Sequence, residues 1–396
     1  MLTDRKNGRY YVGIDVGRFN IDTCFIDYKA FRENAAAGAD KLKIFEASYA
    51  APDDFSKIYD VICAALVKIM EQMKGKGINA NIDGIGIGLP GQVNPNQGTL
   101  IESPGFSGIS NESFIRQLSL KIRAKNILKS TDIKIDNDVR CATRYLWKSI
   151  GFKDGICIFI GNGLGSGIVL DNKMLYGHNF VAGEIGHTTI SSEGSWLFKE
   201  SGDHCNCKAE GCHWEMYASS YGLVNIAKRL CATEYDKLKN NYGQIITQTK
   251  YKELLRTPYF KEYSVALLYD DVKEELTSHF FSLAFYANNS YAITVVKAFI
   301  HFLAIGIANY INVINPQTIY LGGGMVKGFC AEISKRNELI NPPVDTMNLL
   351  KEEVARYVLK AASDVDIQKL DPNEAKASSI GAALIYDDDS YFSHMN

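Results

Sequence analysis

Apolar residues alternate with polar or small ones along Tyr10–Val16, Ile21–Tyr28 and Lys41–Tyr49, which predicts three successive strands, with Gly17, Arg18 and Asn20 marking the first turn. Strands this close in sequence form an antiparallel meander. After Pro52 the period becomes helical. Ile58, Val61, Ile62, Ala65, Leu66 and Ile69 share one face, and the pattern ends near Gly75 and Gly77. A short buried strand, Ile82–Leu89, follows. A second helix over roughly Asn111–Leu128 and a strand Asp132–Ile135 follow, and a helix Asp138–Ile150 comes directly after that strand.

The order then restarts. Gly155–Ile160 and Gly165–Leu170 flank GNGLGSG as the first two strands flank DVGRFN, which predicts a duplicated α/β architecture rather than a short-period solenoid. Two related lobes with a cleft between them are expected. One spans residues 1–136, with a C-terminal helix over 374–388 packing back on it, and the other spans 137–373. Residues 233–273, rich in Lys, Tyr and Asn, read as a helical elaboration. Helices Leu276–Asn288 and Ser290–Ile314, a strand Thr318–Leu321, the run Gly322–Gly324 and a last helix Glu374–Tyr386 follow. Without a low-complexity tract or Pro-rich linker, the lobes are expected to join closely.

A chain of 396 residues with 46% hydrophobic content is long enough for two domains with a substantial core. Its net charge of -2 gives no general attraction to nucleic acid or anionic lipid. The start has no apolar segment followed by a cleavage site, so a cytoplasmic location is expected. The apolar run Ala292–Ile314 is interrupted by Lys297, His301, Asn309 and Asn312 and keeps helical spacing, so it reads as a buried amphipathic helix and not as a membrane span. Nine cysteines are an odd number for a disulfide framework. Cys24, Cys63, Cys141, Cys157, Cys231 and Cys330 stand singly and read as reduced thiols, whereas Cys205, Cys207 and Cys212 are clustered.

Three glycine-rich segments, Asp15–Asn20, Gly161–Gly167 and Gly322–Gly324, fall at strand ends or hairpin turns, where missing Cβ atoms let backbone N–H groups approach phosphates. Any one alone equally suits a tight hairpin; their order and the adjacent Asp15 favour nucleotide binding, with Asp15 holding hydrated Mg²⁺. Asn137 and Asp138 end a buried strand and open a helix, where α/β folds bind ligands. Helix capping is the plainer role. With a hydroxyl substrate in reach, Asp138 suits a general base and Asn137 an orienting amide. The segment GEIGH with Cys205, Cys207 and Cys212 assembles an imidazole from His187 and three thiolates, a set suited to a closed tetrahedral Zn²⁺ site. His204 and His213 are adjacent alternatives to His187. Such a zinc would pin the loop carrying Glu184 and preceding Glu215, two carboxylates able to accept hydroxyl hydrogens.

Together, GIDVGRFN, IGIGLPGQVN, NDVRCATRYL, GNGLGSGIVLDNKMLYG with GEIGH, CNCKAEGC and NPQTIYLGGG resemble the ROK family (repressors, open reading frames and kinases) over almost the whole chain. The resemblance implies a two-lobed actin-like ATPase fold (the duplicated ribonuclease H-like βββαβα unit) and an ATP- and Mg²⁺-dependent kinase acting on a hexose or N-acetylhexosamine, with O6 as acceptor. It implies Asp138 as catalytic base; Asn137, Glu184, His187, Glu215 and Gly91 as sugar contacts; and His187, Cys205, Cys207 and Cys212 as ligands of a structural Zn²⁺. Asp15, Gly17, Gly161, Asn162, Gly163, Gly165 and Gly323 would line the nucleotide, and a homodimer is expected. Departures from the family pattern are Arg18-Phe19-Asn20 in place of Gly-Thr-Lys, Asn162 in place of Thr, one additional residue between Cys212 and Glu215, and Gly105 in place of an asparagine. The first removes a hydroxyl and a cation beside the phosphates, so a non-catalytic sugar sensor is the alternative reading. An actin-like assembly ATPase is disfavoured by the cysteine cluster. The family's repressors carry a DNA-reading domain before the first phosphate loop; here Asp15 already lies in that loop, so direct DNA binding is not expected.

Overall fold

The computed structural model describes residues 10–34, 43–78, 81–103, 106, 108–128, 132–191, 205, 207, 212–257, 260, 275–329, 343–370 and 377–393. The chain divides into two compact units: residues 1–157, 166–183 and 371–396 form the first, and 158–165 with 184–370 the second. Gly105, His204 and Cys330 lie outside the described residues.

The first unit opens with the three predicted strands, β1 (Tyr10–Val16), β2 (Asn20–Asp27) and β3 (Lys43–Ala50), paired antiparallel. Helix α1 (Ile58–Gly75) leads to β4 (Gly84–Leu89), which pairs parallel with β1. A hairpin of β5 (Gln92–Asn94) and β6 (Thr99–Glu102), helix α2 (Phe114–Ala124) and strand β7 (Asp132–Asn137) follow. The sheet order is β3-β2-β1-β4-β7. Register places Asp15 opposite Gly88, and Leu89 opposite Asn137, so these residues lie together at the carboxyl ends of three parallel strands. Helix α3 (Asp138–Ile150) starts directly from β7 and ends at Gly151, whose φ of 83° supplies the left-handed cap.

Strand β4 reads GIGIGL, and its period of two sorts the sheet's faces. Ile85, Ile87 and Leu89 enter an apolar core with Ile58, Ile62, Leu66 and Ile69 of α1. The glycines face the other way, onto a segment from the far end of the chain.

Strands β8 (Gly155–Ile160) and β9 (Leu164–Leu170) run from the one unit into the other around the 161–163 turn, and β10 (Lys173–Met174) pairs antiparallel with β9. Short strands β11 (Thr189–Ser191) and β12 (Cys212–His213) pair with one another. Helix α4 (Ser220–Leu230) precedes three short helices, Ala232–Asn240, Tyr242–Thr247 and Thr249–Leu255, the helical elaboration expected over 233–273; residues 258, 259 and 261–274 of it are not described.

Helices α5 (Ser278–Tyr286) and α6 (Ser290–Ile314) form the core of the second unit. Helix α6 has the bounds its pattern predicts. The Asn289 side chain accepts from Ala292 N, and Asn315 at φ 50° ends the helix in a left-handed turn. By length and composition α6 could cross a membrane, yet 56% of its most apolar window is buried within the protein. Trp214 lies against Gly306 of α6, where a Cβ would come within 1.9 Å of the indole, and its Nε1 donates to Phe302 O at 3.0 Å. Strand β13 (Thr318–Gly322) leads into helix α7 (Gly324–Phe329); helix α8 (Thr346–Ala355) and strand β14 (Asp366–Lys369) follow, β14 parallel to β13. The second sheet has the order β10-β9-β8-β13-β14.

The chain then returns to the first unit as α9 (Ala377–Ala383), a 3₁₀ turn Leu384–Asp387 and α10 (Asp389–Ser393). The predicted helix Glu374–Tyr386 is therefore split. Helix α9 is the segment over the glycine face: a Cβ at Gly13 would stand 1.8 Å from Ser379 O, one at Gly86 1.8 Å from Ala382 O, and one at Gly381 1.6 Å from Cys141 O of α3. This packing is also why α3 groups with the first unit, whereas the sequence reading assigned residues from 137 onward to the second.

Backbone this close to backbone leaves no flexible atom to yield, so Gly86→Ala is expected to destabilise at or beyond the upper end of the roughly 1–3 kcal/mol usual for overpacking. Gly75, at the end of α1 with nothing within 4 Å of its added Cβ, is the control: Gly75→Ala should leave the urea midpoint unchanged or raise it slightly.

Candidate functional site

At the strand ends of the first unit, two carboxylates stand side by side. A Cβ at Gly88 would lie 3.5 Å from Asp15 Oδ1, an ordinary contact, and 3.3 Å from Asp138 Cα, a tight one, so Gly88 lies next to both residues. Burial, and secondarily the Asp138 charge, push Asp15 up to about 8, against the lowering effect of a hydrogen bond from Ser378. Ser378 Oγ has one hydrogen to share between Asp15 and Asp138 O, which lies 2.8 Å away, and so ties α9 to this corner.

Three consecutive residues divide the work at the start of α3. Asn137, rather than Asp138, is the cap: its Oδ1 accepts from Arg140 N at 3.0 Å. Its Nδ2 donates to Gly91 O at 3.2 Å and to Asp138 Oδ1 at 3.0 Å. Asp138 Oδ1 also accepts from Val139 N at 2.9 Å, so one carboxylate oxygen is fixed by two donors in the helix's first turn. Gly91 has φ 108°, and a Cβ there would meet Glu102 O at 2.2 Å, which explains a glycine beneath the Asn137 amide. Asp136 points the other way and is fully buried, held below its ordinary range because Arg140 and Arg144 outweigh its burial.

In the hairpin turn after β1, Gly17 N donates to Asn20 O at 2.9 Å, while Arg18 and Phe19 are exposed. The Arg18 guanidinium lies 5.9 Å from the Phe19 ring centre, and the turn residues Arg18, Phe19 and Asn20 themselves carry neither hydroxyl nor ammonium.

The second unit carries the other glycine segments. Gly161 N donates to Gly163 O at 2.9 Å, closing the turn after β8, and Gly161 O accepts from Ser220 N at 2.8 Å. Gly165, next to this turn, lies in β9. Gly323 has φ 94° and sits against Ile160, where a Cβ would meet the carbonyl oxygen at 2.4 Å. Beside these turns opens a concave space of about 480 Å³, part of it open to solvent, lined by Gly161, Asn162, Phe260, His279, Met325 and Phe329 among others. Burial lowers the His279 pKa, which keeps the imidazole neutral, one nitrogen a donor and the other an acceptor. The sequence reading located the glycines and Asn162 but missed Phe260, His279, Met325 and Phe329. Nothing in their local pattern separates them from core residues of apolar helices.

Also in the second unit, His187, Cys205, Cys207 and His213 bring one ligand atom each within 4.8 Å of one another. Cys205 Sγ lies 3.4 Å from His187 Nδ1, and Cys207 Sγ 3.3 Å from His213 Nδ1. Three of the expected ligands come together, and His213 takes the place expected of Cys212. The reason is the strand: β12 consists of Cys212 and His213, and neighbouring residues of a strand project to opposite sides. Two thiols and two imidazoles fit tetrahedral zinc as well as three thiolates and one imidazole do.

Glu215 connects this cluster to the glycine turn. Its Oε1 accepts from Cys205 Sγ at 2.8 Å, and its Oε2 accepts from Leu164 N at 3.4 Å. Burial and the Glu215 carboxylate hold the Cys205 thiol well above its ordinary pKa. Glu184 Oε2 lies 3.8 Å from His187 Nε2, and Glu215 Oε1 lies 3.8 Å from its Nδ1, so the imidazole stands between two carboxylates. The other described cysteines, Cys24, Cys63, Cys141, Cys157 and Cys231, form no disulfide among the described residues.

Residues 11–388 match the ROK family. The glucokinase of Halalkalibacterium halodurans is 31% identical over 360 residues, covering 90% of this chain and 88% of that protein. The N-acetyl-D-glucosamine kinase of Photobacterium profundum is 26% identical, covering 80% of this chain and 84% of its own. Among solved structures, the ROK family glucokinase of Streptomyces griseus in complex with glucose and AMPPNP matches with a TM-score of 0.62 at 21% identity, over 94% of this chain and 98% of that one. The strand order, the carboxylates at the strand ends and these matches agree: the chain belongs to the ROK family and has its actin-like ATPase fold.

Proposed function

We propose that this protein is an ATP-dependent sugar kinase that transfers the γ-phosphoryl group to a hydroxyl, that on carbon six, of a hexose or N-acetylhexosamine. The observation that carries the reading is the Asp138 carboxylate, oriented by Asn137 Nδ2 and Val139 N at the carboxyl ends of parallel strands and paired with Asp15. In this reading Asp138 takes the proton from the sugar hydroxyl as its oxygen attacks in line. Asn137, Gly91, Glu184, His187 and Glu215 are the sugar contacts in this reading, the two glutamates as acceptors of sugar hydroxyls.

Asp15 and the Gly17 turn serve the phosphates, and Gly161, Asn162, Gly163, Gly165 and Gly323 the rest of the nucleotide, with its base against Phe260, His279, Met325 and Phe329. The glucokinase relatives and the nucleotide-analogue complex of the Streptomyces griseus enzyme support this assignment. Mg²⁺, when bound, is held through Asp15 and the phosphates and offsets charge on the transferring group. The working form is a homodimer in the cytoplasm, the first of which sedimentation of the purified protein tests.

The central test follows ADP release with a panel of glucose, mannose, fructose and their N-acetylamino relatives. Sugar-dependent turnover is expected, and Asp138→Asn should lower kcat by about 10²–10⁴-fold, the usual contribution of a positioned base. Sugar binding by calorimetry with no turnover in the unmodified protein would sink the kinase reading in favour of the sensor.

A second expectation concerns pH. Folding raises the Asp15 pKa to about 8 from its ordinary carboxylate value, so between roughly pH 4 and 8 the folded chain holds a proton that the unfolded chain has released. Stability from this group is present in acid and is lost as pH rises through that window. Without Mg²⁺ and nucleotide, Asp15→Asn is therefore expected to be more stable than the parent at pH 8 by a few kcal/mol, since one pKa unit is worth about 1.4 kcal/mol. The gap should close toward pH 4, and urea titrations across the range read it.

We also assign a structural zinc to His187, Cys205 and Cys207, with His213 as fourth ligand. Cys212→Ser should keep one zinc per chain, and the cobalt-substituted protein should show the charge-transfer intensity of two thiolates. His213→Ala should lose the metal. Retention by His213→Ala with loss by Cys212→Ser would restore Cys212 as the ligand.

A further inference from the structure

Behind Asp138, in the first unit, lies a fully buried ion network. Asp136, Arg144, Asp388 and Tyr176 are 0% exposed and Arg140 is 2% exposed. Asp136 Oδ1 accepts from Arg140 Nε at 2.7 Å and from Asn137 N at 2.8 Å. Its Oδ2 accepts from an Arg144 terminal nitrogen. Arg144 Nε donates to Asp388 Oδ2 at 3.0 Å, and Arg144 also donates to Gly381 O at 3.3 Å and to Tyr176 Oη at 2.7 Å. Tyr176 Oη stands 3.0 Å from Asp388 Oδ2. Two arginines and two aspartates cancel in charge, so the network is neutral as a whole.

Its geometry reaches the reacting end through two routes. One is covalent and direct: Asp136 immediately precedes the Asn137–Asp138 pair and holds the Asn137 amide. The other runs through Arg140, one terminal nitrogen of which donates to Phe180 O at 2.7 Å. Phe180 is a buried residue at φ 61°, a conformation that a bulky side chain adopts only when held there. The loop it belongs to continues to Gly183, whose carbonyl accepts from Ser166 Oγ at 2.7 Å and which directly precedes Glu184 in sequence. The network therefore fixes both the start of α3 and the loop that leads into the GEIGH segment. Asp388 contributes from the far end of the chain. Its Oδ1 accepts from Ser390 N at 3.0 Å and Tyr391 N at 3.3 Å, while Tyr391 Oη donates to Ile135 O at 3.0 Å, so α10 is stitched to β7.

We propose that Arg140, Arg144 and Asp388 are positioning residues that act through Asp136 to aim the Asn137–Asp138 pair, so that phosphoryl transfer depends on the docked segment carrying Asp388. This rests on Asp138 being the general base. A burial that served stability alone could use apolar residues of similar volume with no loss, because desolvating four charges offsets much of what their pairing returns. What an arginine fork provides in addition is fixed geometry.

The test compares Arg140→Lys and Asp388→Asn with the parent, each at a temperature where circular dichroism shows the variant fully folded. Lysine lacks the planar fork that spans Asp136 and Phe180 O together. Both variants are expected to lose about tenfold to hundredfold in kcat, the scale of a small misplacement of a reacting group, with the KM values for sugar and ATP changed by less than about threefold. If instead both keep the parental kcat and show only a lower melting temperature, the network is purely structural and the inference is overturned. Should either fail to fold, Tyr176→Phe keeps all four charges and removes one hydroxyl. A several-fold loss of kcat at unchanged KM supports the inference, and unchanged kcat overturns it. Asp138→Asn, assayed beside them, separates the two failures. An active Asp138→Asn removes the base reading itself, whereas an inactive one beside fully active network variants removes only the positioning role.

Discussion

At Gly13 and Gly86, carbonyl oxygens of α9 occupy the space where side chains would begin, and at Gly381 the oxygen of Cys141 does the same in return. This backbone-to-backbone contact between a late helix and an early sheet is the constraint from which the arrangement in the first unit follows. Apart from Ile380, helix α9 is made of small residues, with Ala377, Ser379, Gly381, Ala382 and Ala383 buried, so it can approach that closely. Its approach carries Ser378 to the Asp15–Asp138 corner and brings Asp388 and Tyr391 under β7 and α3. A bulkier glycine face would lift α9 and with it every one of these partners.

Much of this was legible from local pattern, and the losses have physical reasons. The bounds of α6 follow from an asparagine cap at one end and a left-handed asparagine at the other, both local devices. The GIGIG run of β4 announces a strand with one apolar face, but its glycine face acquires meaning only from α9, which is remote in sequence. For the same reason Asn137 and Asp138 were readable as a strand-to-helix junction, whereas Arg144 and Asp388 were not readable as partners: the pairing depends on tertiary contact and leaves no periodic trace. The cysteine cluster shows the opposite failure. Spacing points to Cys212, while alternation along a two-residue strand brings its neighbour His213 beside His187, Cys205 and Cys207. The added residue between Cys212 and Glu215 does not remove Glu215 from the cluster; the carboxylate still reaches both Cys205 and the Leu164 amide.

Three aspartates within one small region of the first unit carry three different electrostatic settings, and the difference lies in their partners rather than in burial alone. Asp136 is the most deeply enclosed, yet two guanidiniums hold it ionised. Asp15 has another carboxylate for a neighbour and only a hydroxyl for relief, so burial and then that neighbouring charge push it up to about 8. Asp138 sits in the first turn of a helix with an amide and a backbone N–H on one oxygen.

The alternation of β7 explains how such different settings fit into consecutive residues. Asp136 and Asn137 leave the strand on opposite sides, and the helix that begins at Asp138 turns the next carboxylate away from Asp136 and within reach of the Asn137 amide. One aspartate is thereby committed to the interior, where its charge is neutralised and its geometry is fixed, and the next is presented at the strand ends with its orientation inherited from that fixed neighbour. Asn137 joins them, since its backbone N–H is held by Asp136 while its side-chain amide holds Asp138. Rigidity made in the core is in this way transmitted over two residues to the Asp138 carboxylate.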